Sequence, residues 1–537
     1  MTTTTAPQPL SRDSLGHLAY LHRVLTGSAA PPVNSAAHKG NPAGFRIPHS
    51  AFDWSGFYTP QADAMNFGLR FQLAFAAYAV AALGRRTPAY ARPYVAALGA
   101  AVERMLDVRA WGYWRRPPAP AEGGAAPAGH IAVLLGGHRR PAGPGPPPAD
   151  PVVQDNVQFS GHLGTMLGLY ERAGGDDRYD QGFVLADPES GATYPYTHGA
   201  LAARIVAQMR GNPFHGVACE PACAYVPCNN HAMTCNALHD ATHGTDYSRA
   251  NADWLAWVRR KMVLHGPAAR GLFGACYLRD FHLTAPVAFQ FTDSWGLAFL
   301  LPFDRALVRK LYPRFRQRLS RDDSGRGAGP RAPLYVGSAP ICARMEISDV
   351  ALNTAFGLIV ARGVGDTATA DRLAAYATAA FDRRWSGPEL WYAGAPRTLH
   401  STALYTLAGL VDGAGAALHD LFHAPRDPAL AAQPYLDRVS IDAAAGTPAG
   451  GDWAAHAGIA EAYYDPGAQT LTLATEWLGD NPPPAAPLQL VCARVSPGPQ
   501  VRCDGQAWDR WTYDAQSRSL VIAAVAGRPQ RFVIQLG

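Results

Sequence analysis

Reactive side chains are most concentrated in one stretch, Asn212-Pro-Phe-His-Gly-Val-Ala-Cys219-Glu220-Pro-Ala-Cys223-Ala-Tyr225-Val-Pro-Cys228-Asn229-Asn-His231. The chain has 8 cysteines, and Cys219, Cys223, Cys228 and Cys235 lie in this stretch or just after it. A loop broken by prolines that leads into a buried helix would place these groups on one wall of a pocket. We therefore expect the fold to be arranged around this segment.

Three interpretations of the cysteine cluster compete. A metal site is disfavoured, because the order C-x3-C-x4-C-x2-H-x3-C matches neither paired C-x2-C zinc ligands nor a common iron–sulfur run. Buried, inert cysteines are the second interpretation, since a free cysteine packs as a small hydrophobic residue. The third is a site in which thiols act as acids, bases or nucleophiles.

The ordered series of residues around the cluster resembles the bacterial linalool dehydratase/isomerase family. Cys219-Glu220-Pro221 is followed by Cys228-Asn229, with His243-Gly-Thr-Asp-Tyr247 downstream. Upstream, Asp155-Asn-Val-Gln158-Phe159-Ser-Gly-His162 resembles the family segment that supplies an active-site histidine. The similarity is densest from about 155 to 317, and it is carried by the series rather than by any one short motif.

That resemblance implies an (α/α)6 barrel and a lyase or isomerase that dehydrates, hydrates or rearranges a terpenoid or related alkenol. It implies that His162, Cys219 and Cys228 are the catalytic groups, with no cofactor and no metal ligand. It also implies a ring-shaped homo-oligomer. The alternative is a monomer in which a C-terminal β domain covers the surface that would otherwise contact a neighbouring subunit. From the residues alone, a lone histidine such as His162 on an apolar helix is more often a core residue than a catalytic one.

Substrate-binding candidates are the side chains near these groups, although Phe291 and Trp295 also have the spacing of helical core residues. They are Gln158, Phe159, Glu220, Tyr225, Phe291 and Trp295. The family's N-terminal Asp and Tyr have no aligned equivalents, and Asp53 with Tyr58, or Asp63, are the substitutes we propose. Gln158 stands for a pocket methionine and Phe291 for a pocket tyrosine. Because both exchanges alter hydrogen bonding, we expect a substrate other than the family's monoterpenol.

Composition indicates a globular protein with a substantial interior. The chain has 537 residues, of which 48% are hydrophobic and 17% charged. The net charge of +5 is small for this length and no Lys/Arg block occurs, so nucleic acid is not an expected partner. Neither a signal peptide nor a membrane span is evident, and the cysteine spacing is unlike a disulfide framework. We therefore expect cytoplasmic residence with reduced thiols.

Helical periodicity dominates the first four-fifths of the chain. Residues 1–12 read as a disordered tail, and residues 13–425 read as a catalytic domain with a Pro/Gly-rich insertion at 117–151. Paired helices joined by loops would by themselves indicate only a mostly α fold. Predicted helices lie at 13–26, 63–84, 88–106, 156–173, 197–210, 229–243, 248–263, 293–311, 349–363, 367–382 and 399–413.

A change of character after about residue 425 predicts a small antiparallel β domain at 430–537. Short β-branched segments begin at Leu471, Leu488, Ser519 and Gln530, and turn residues separate them. The founding family member has no aligned counterpart to this region. A β-sandwich beside an α/α toroid is also common among carbohydrate-active enzymes, so a glycoside hydrolase or lyase stays open as an alternative.

Two other chemistries have sequence support. Asp176-Asp-Arg-Tyr-Asp180 fits the D-D-x-x-D pattern of magnesium-dependent prenyl-diphosphate enzymes, which would make the protein an unusual terpene cyclase. It follows two glycines, however, and equally reads as a solvated turn. A glycoside hydrolase needs a pair of carboxylates. Candidates for that pair are Asp293, Glu346, Asp349 and Glu389.

Overall fold

A computed structural model shows a protein that is about half helical, with several small antiparallel sheets that do not close into a barrel. It describes residues 7–27, 69–114, 149–219, 223–267, 269–286, 288–322, 332–337, 350–413, 415–425, 432–441, 456–479 and 487–537. The predicted insertion at 117–151 and the loop that contains Asp53, Tyr58 and Asp63 lie largely or wholly outside these ranges.

The helical part contains both long, fully buried helices and amphipathic ones. Their bounds are α1 Arg12–Thr26, α2 Leu69–Gly84, α3 Arg92–Leu106, α4 Val108–Trp111, α5 Val157–Arg172, α6 Arg178–Gln181, α7 His198–Gly211, α8 Val226–His243, α9 Arg249–Trp257, α10 Gln290–Leu300, α11 Arg305–Gln317, α12 Val350–Val364, α13 Thr367–Ala380, α14 Thr398–Leu410 and α15 Ala416–His423.

Helices α2, α5, α8, α10, α12 and α14 are buried on nearly every face. Each packs against the next in this order, and α14 packs against α2. A helix that is apolar all round must be enclosed by other elements, and the amphipathic helices supply that enclosure. α3, for example, buries Leu98, Val102 and Met105 on one face.

α5 and α8 approach each other closely, and glycine makes that approach feasible. A Cβ at Gly161 would lie 3.0 Å from the backbone nitrogen of Ala232, and a Cβ at Gly164 would collide with the sulfur of Cys235. Side chains larger than hydrogen at these positions would force the two helix axes apart. This seam fixes α5, which carries His162, against α8, which carries Cys228.

Short strands form in the loops that connect the helices. β1 Phe183–Ala186 pairs with β2 Thr193–Tyr196, β6 Ser320–Arg321 with β7 Leu334–Tyr335, and β8 Arg383–Ser386 with β9 Glu389–Tyr392. A small sheet combines β3 Cys223–Ala224, β4 Tyr277–Leu278 and β5 Leu283–Thr284. β3 lies between the two sulfur-bearing segments of the site, so this sheet supports one side of it.

The C-terminal region forms two antiparallel sheets around a second hydrophobic cluster. Their strands are β10 Tyr435–Ile441, β11 Ala457–Asp465, β12 Thr470–Trp477, β13 Leu488–Ala493, β14 Gln500–Cys503, β15 Gln506–Ala507, β16 Trp511–Asp514, β17 Ser519–Ala524 and β18 Gln530–Gln535. One sheet has the order β10–β13–β17–β16 and the other β11–β12–β18–β14–β15. Alternating burial along β17 and β18 is the pattern of strands with one face on a core.

Main-chain hydrogen bonds join this β region to the helices. The Leu10 amide donates to the Ala460 carbonyl, the Ala89 amide to the Ala462 carbonyl, and the Leu436 amide to the Ala89 carbonyl, at 2.8–3.0 Å. Leu10, which the sequence places in the N-terminal tail, is buried. Within the described ranges, no helix has the length and apolar character that crossing a membrane requires.

Several predicted helices needed correction. The one predicted at 293–311 is two helices, because Pro302 follows α10 and the Asp304 side chain caps α11 by accepting from the Leu307 amide. The helix predicted from Pro88 begins at Arg92 instead, with Pro93 in its first turn. α8 begins at Val226, three residues earlier than predicted, again with a proline in its first turn. The strands β10, β11, β14 and β16 were not predicted.

Candidate active site

The sulfurs of Cys219 and Cys228 lie 3.0 Å apart, at hydrogen-bonding distance, and either can be the donor. Both residues are buried and neither forms a disulfide. A thiol can both donate and accept a hydrogen bond, so a proton can pass between the two sulfurs. The pair therefore offers a proton donor and a proton acceptor in one place.

The neighbouring Asn229 explains how residues nine positions apart are brought together. Its side-chain oxygen accepts from the Val217 amide at 2.7 Å, and its side-chain nitrogen donates to the Val217 and Tyr225 carbonyls. The Val157 amide at the start of α5 donates to the Ala218 carbonyl. Asn229 and α5 thus clamp the segment before Cys219 onto the first turn of α8, where Cys228 lies.

A hydrogen-bonded series of rings occupies the middle of α5 and α8. The Trp295 indole N–H donates to Nε2 of His231 at 3.0 Å. Tyr78 Oη lies 3.3 Å from Nδ1 of His231 and 2.8 Å from Nδ1 of His162. The two imidazole centroids are 3.8 Å apart.

Donor and acceptor roles follow from the fact that an indole N–H can only donate. His231 must accept at Nε2, so as a neutral ring it carries its proton on Nδ1 and donates to Tyr78. Tyr78 can then donate to Nδ1 of His162. His162 consequently carries its own proton on Nε2, a buried atom with no hydrogen-bond partner in the described part of the chain.

Both histidines are held neutral by their surroundings. Burial lowers the pKa of His162 well below its ordinary value, and His231 and Arg70 nearby lower it further. Burial alone lowers the pKa of His231 to about 3. The pKa of Tyr78 is raised well above its usual range, chiefly by burial. Near neutral pH, this network offers an N–H donor rather than an imidazolium.

Aromatic rings from α2 and α10 lie close to His162. Phe71 and Phe75 of α2 each approach it edge-on, at 5.5 Å between centroids. Trp295 of α10 stacks on Phe356 of α12 at 5.5 Å, and Phe71 stands edge-on to Trp295. The surroundings of this imidazole are therefore apolar and rich in π faces.

Arg70 is a fully buried cation that the sequence analysis missed. Its guanidinium donates to Gln158 Oε1 at 2.9 Å and lies over the rings of Tyr113, at 4.1 Å, and Phe71, at 4.5 Å. Gln158 precedes His162 by one helical turn, on the same face of α5. From sequence, an arginine at the start of an apolar helix suggests an exposed helix end. The side chains that make its burial possible are distant in the chain and cannot be recognised.

Tyr113 connects this cation to the sulfurs. Burial raises the pKa of Tyr113, the Arg70 guanidinium opposes that shift, and Cys219 and Cys228 add to it. Tyr113 Oη donates to the Asn156 side chain, 2.6 Å away at the start of α5. The thiol pair, Tyr113, Arg70 and His162 thus form one electrostatically connected group.

The remaining predicted substrate-binding residues differ in how deeply they are buried. Phe159 is fully buried in the main core, whereas Tyr225 immediately precedes α8 and is partly exposed. Phe291 is partly exposed and its ring contacts that of Phe289 at 5.8 Å. Trp295 lies in the ring series described above. Glu220, Asp53, Tyr58 and Asp63 fall outside the described residues.

The carboxylates of the alternative chemistries are engaged elsewhere. Asp176 forms an exposed ion pair with Arg178, which is typical of a solvated turn. Buried Asp293 accepts from the Phe273 amide, and Glu389 forms an ion pair with Arg23. Glu346 and Asp349 lie outside the described residues. Neither a magnesium-binding motif nor a glycosidase pair gains support from these positions.

Comparison with protein families decides the relationship. A family model described as linalool dehydratase/isomerase matches residues 70–398, more than half of the 537-residue chain. The chain belongs to this family. The match includes α2, α5, α8, α10 and α12, so Arg70, His162 and both paired cysteines lie within it. Membership makes the protein a lyase or isomerase of the linalool dehydratase/isomerase type.

Proposed function

We propose that the protein is a cofactor-independent hydro-lyase or isomerase that acts on a terpenoid or related alkenol. The observation that carries this proposal is the pair of buried sulfurs, 3.0 Å apart, in a chain of this family whose matched region also contains the buried, neutral His162. Dehydration of an allylic alcohol needs a proton for the leaving hydroxyl and a base for the adjacent C–H. The thiol pair contains both.

A proton balance can be written for the two sulfurs. One thiol gives its proton to the hydroxyl as the C–O bond breaks, and water leaves. The other sulfur, as the thiolate, takes the proton from the neighbouring carbon as the C=C bond forms. The sulfur–sulfur hydrogen bond then returns the proton to the first sulfur, so the pair is ready for another cycle without any external acid or base.

We assign the thiolate to Cys228. Cys228 lies in the first turn of α8, and a helix N-terminus stabilises a nearby anion. Cys219 is then the proton donor. A covalent route, in which the thiolate attacks carbon during isomerisation, uses the same residue as the nucleophile.

His162 is the group we assign to hold the substrate hydroxyl. Its Nε2–H is buried without a partner in the described part of the chain, and Tyr78 fixes the ring through Nδ1. A buried donor of this kind gains a hydrogen bond when a hydroxyl oxygen arrives. His162 therefore orients the oxygen for protonation by the thiol rather than acting as the base.

Arg70 sets the character of the reaction. A buried guanidinium stabilises a nearby thiolate and repels a developing allylic cation. We infer that proton removal accompanies C–O cleavage, so that no free cation accumulates. Because Gln158 and Arg70 hydrogen-bond to each other, they also make this wall polar where the family has a methionine. We expect a substrate with a second polar group at this position.

Three features of the setting are also part of the proposal. The cyclic contacts of α2, α5, α8, α10, α12 and α14 support an (α/α)6 toroid, with a domain boundary near residues 425–430. A homo-oligomer would explain how residues absent from the N-terminal alignment are supplied to the site. Reduced thiols are required, and we therefore place the protein in the cytoplasm.

The decisive experiment incubates metal-stripped protein with linalool, geraniol and longer terpenols, and analyses the products by gas chromatography. We expect diene or isomer formation that survives chelation. Cys219→Ala, Cys228→Ala and His162→Ala should each lower the rate by about 100- to 10,000-fold.

Cys235→Ala is the matched control, because Cys235 is also a buried free cysteine of α8 but is packed against Gly164. It should retain activity. Turnover that persists in the three site variants would overturn the assigned site. Absence of turnover across the whole panel would refute the terpenol assignment while leaving family membership intact.

A further inference from the structure

A second cluster of histidines lies at the far ends of the same two helices. Glu171 ends α5, His239 and His243 end α8, and His198 begins α7. Nine residues separate Glu171 from His162, a rise of about 13 Å along α5. None of these side chains has a part in the proposed reaction.

The three imidazoles converge. One ring nitrogen from each of His198, His239 and His243 lies within 4.8 Å of the other two. Ligand nitrogens of a tetrahedral zinc ion, at 2.0–2.1 Å from the metal, lie about 3.4 Å apart. Side-chain rotations that move these atoms by about 1 Å would close the site.

Hydrogen bonds leave a free lone pair on two of the rings. His198 Nδ1 lies 2.9 Å from a Glu171 oxygen, which can only accept when ionised, so His198 donates there and its lone pair is on Nε2. That Nε2 is fully buried and has no partner within the described residues. An unpartnered buried acceptor is costly, and a metal ion would satisfy it.

His239 is oriented in the same way. Its Nδ1 lies 2.9 Å from the Thr245 hydroxyl, which already donates to Asp240 at 2.6 Å. His239 must therefore donate at Nδ1, and its lone pair is on Nε2. Tyr247 stacks on the His239 ring at 4.9 Å and fixes its plane. Metal-bound histidines characteristically use one nitrogen for the metal and donate the other N–H to an oxygen in this manner.

Carboxylates complete the surroundings. His243 Nε2 lies 2.9 Å from the second Glu171 oxygen and 3.7 Å from Asp180. Glu171, Asp180, His198 and His243 also offer ligand atoms within 4.8 Å of one another. The fourth coordination position can thus be taken by a carboxylate oxygen or by water, since His243 is partly exposed.

We propose that His198, His239 and His243 bind a divalent transition-metal ion, with Glu171 as the supporting carboxylate. Imidazole-rich sites with few carboxylates select zinc, nickel, cobalt or copper over magnesium and calcium. The ion would join the ends of α5 and α8 to the start of α7. It acts on the fold and not on the reaction, so this inference is independent of the proposed function.

The test is a calorimetric titration of the metal-free full-length chain with Zn²⁺, repeated with Co²⁺ while the visible absorption spectrum is recorded. The variants are His239→Ala and His243→Ala. The matched control is the double variant His419→Ala/His423→Ala. That pair is also four residues apart on a helix, with rings stacked at 4.4 Å, but forms no larger metal-binding group within the described residues.

We expect one Zn²⁺ per chain, weakened at least tenfold in both single variants and unchanged in the control. Glu171→Gln should weaken binding by about 10- to 100-fold. Zn²⁺ should raise the Tm of the wild type and not of His243→Ala. His243 is partly exposed, so this variant serves even if His239→Ala does not fold.

Failure of wild-type protein to bind Zn²⁺, or unchanged binding in His243→Ala, would overturn the proposal. So would a thiolate-to-cobalt charge-transfer band, because it would assign the ion to the cysteines. Loss of binding in the His419/His423 control would show adventitious surface coordination, with the same consequence.

Discussion

Histidines lie both in the middle of α5 and α8 and at the C-terminal ends of these helices, but the surroundings of these histidines differ. In the middle of these helices, His162 and His231 contact Tyr78, Trp295 and each other. At the ends, His198 and His243 contact the carboxylate of Glu171. The comparison shows that the surroundings determine what an imidazole can do. Burial among aromatic rings keeps His162 and His231 neutral, whereas the Glu171 carboxylate lies at hydrogen-bonding distance from one ring nitrogen of each of the end histidines.

The largest expected effect separates the two sites functionally. His162→Ala should lower turnover by about 100- to 10,000-fold and leave Zn²⁺ affinity unchanged. His243→Ala should lose Zn²⁺ affinity and retain turnover within about twofold at 25 °C, because its site is about 13 Å or more from His162 along the helices. Steady-state rates and calorimetry on both variants would check this. A turnover loss in His243→Ala as large as that in His162→Ala would contradict the division into two sites.

A substitution in the seam between α5 and α8 should have a smaller effect, a loss of stability that affects both sites. Gly161→Val would push α8 away from α5, because even a Cβ at this position lies 3.0 Å from the Ala232 nitrogen. We expect the free energy of unfolding to fall by about 1–3 kcal/mol. Gly211→Val is the control, since nothing lies within 4 Å of a Cβ there. Urea unfolding of both variants measures the difference. Equal stability of the two variants would show that the seam is not tight.

Acid should lower the free energy of unfolding, because His231 is held neutral in the folded protein. The pKa of His231 is about 3 when folded and about 6.5 when unfolded, so below pH 6.5 the unfolded chain binds the additional proton. The free energy of unfolding should therefore fall as the pH drops from 6.5 towards 3, by up to about 1.4 kcal/mol per pH unit for this group. His231→Gln should have a shallower dependence in urea titrations between pH 7 and 4. Parallel curves for wild type and variant would refute a neutral His231.

The smallest effect concerns substrate choice. Gln158→Met removes the hydrogen bond to Arg70 and places an apolar group at this position. We expect kcat/KM to shift a few-fold, by about 1 kcal/mol, towards purely apolar alkenols. Competition between linalool and a terpenol with a second hydroxyl would measure it. A shift in favour of the more polar substrate would contradict the role given to this wall.

Long periodic helices were predictable from sequence because their signal is local. α5 and α7 differ from their predicted bounds by a residue at each end, whereas the predicted helix across Pro302 was wrong. The proline and the capping residue Asp304 were visible signals for that break. In the C-terminal region, strands were predicted where β-branched residues cluster and missed where, as in β16, the sequence is short and polar.

Cys219, Cys228 and His162 are predicted as catalytic residues only through the ordered resemblance to a family, and their roles stay predictions. Nothing in the spacing of Cys219 and Cys228 requires contact, since the contact depends on side-chain bonds of Asn229 to a preceding loop. Arg70, Tyr78 and His231 were missed. The side chains to which they hydrogen-bond lie 64 to 153 residues away in the chain. The i, i+4 spacing of His239 and His243 was visible, but His198 comes from another helix.

The glycine seam between α5 and α8 has a consequence for how the substrate preference of this enzyme can change. Helices held backbone to backbone cannot move apart to admit a larger molecule without losing the alignment of their reactive groups. We therefore expect new substrate preferences to arise from the aromatic side chains Phe71, Trp295 and Phe356, which come from three other helices. A directed-evolution library aimed at larger or smaller alkenols should spare the seam and randomise those rings.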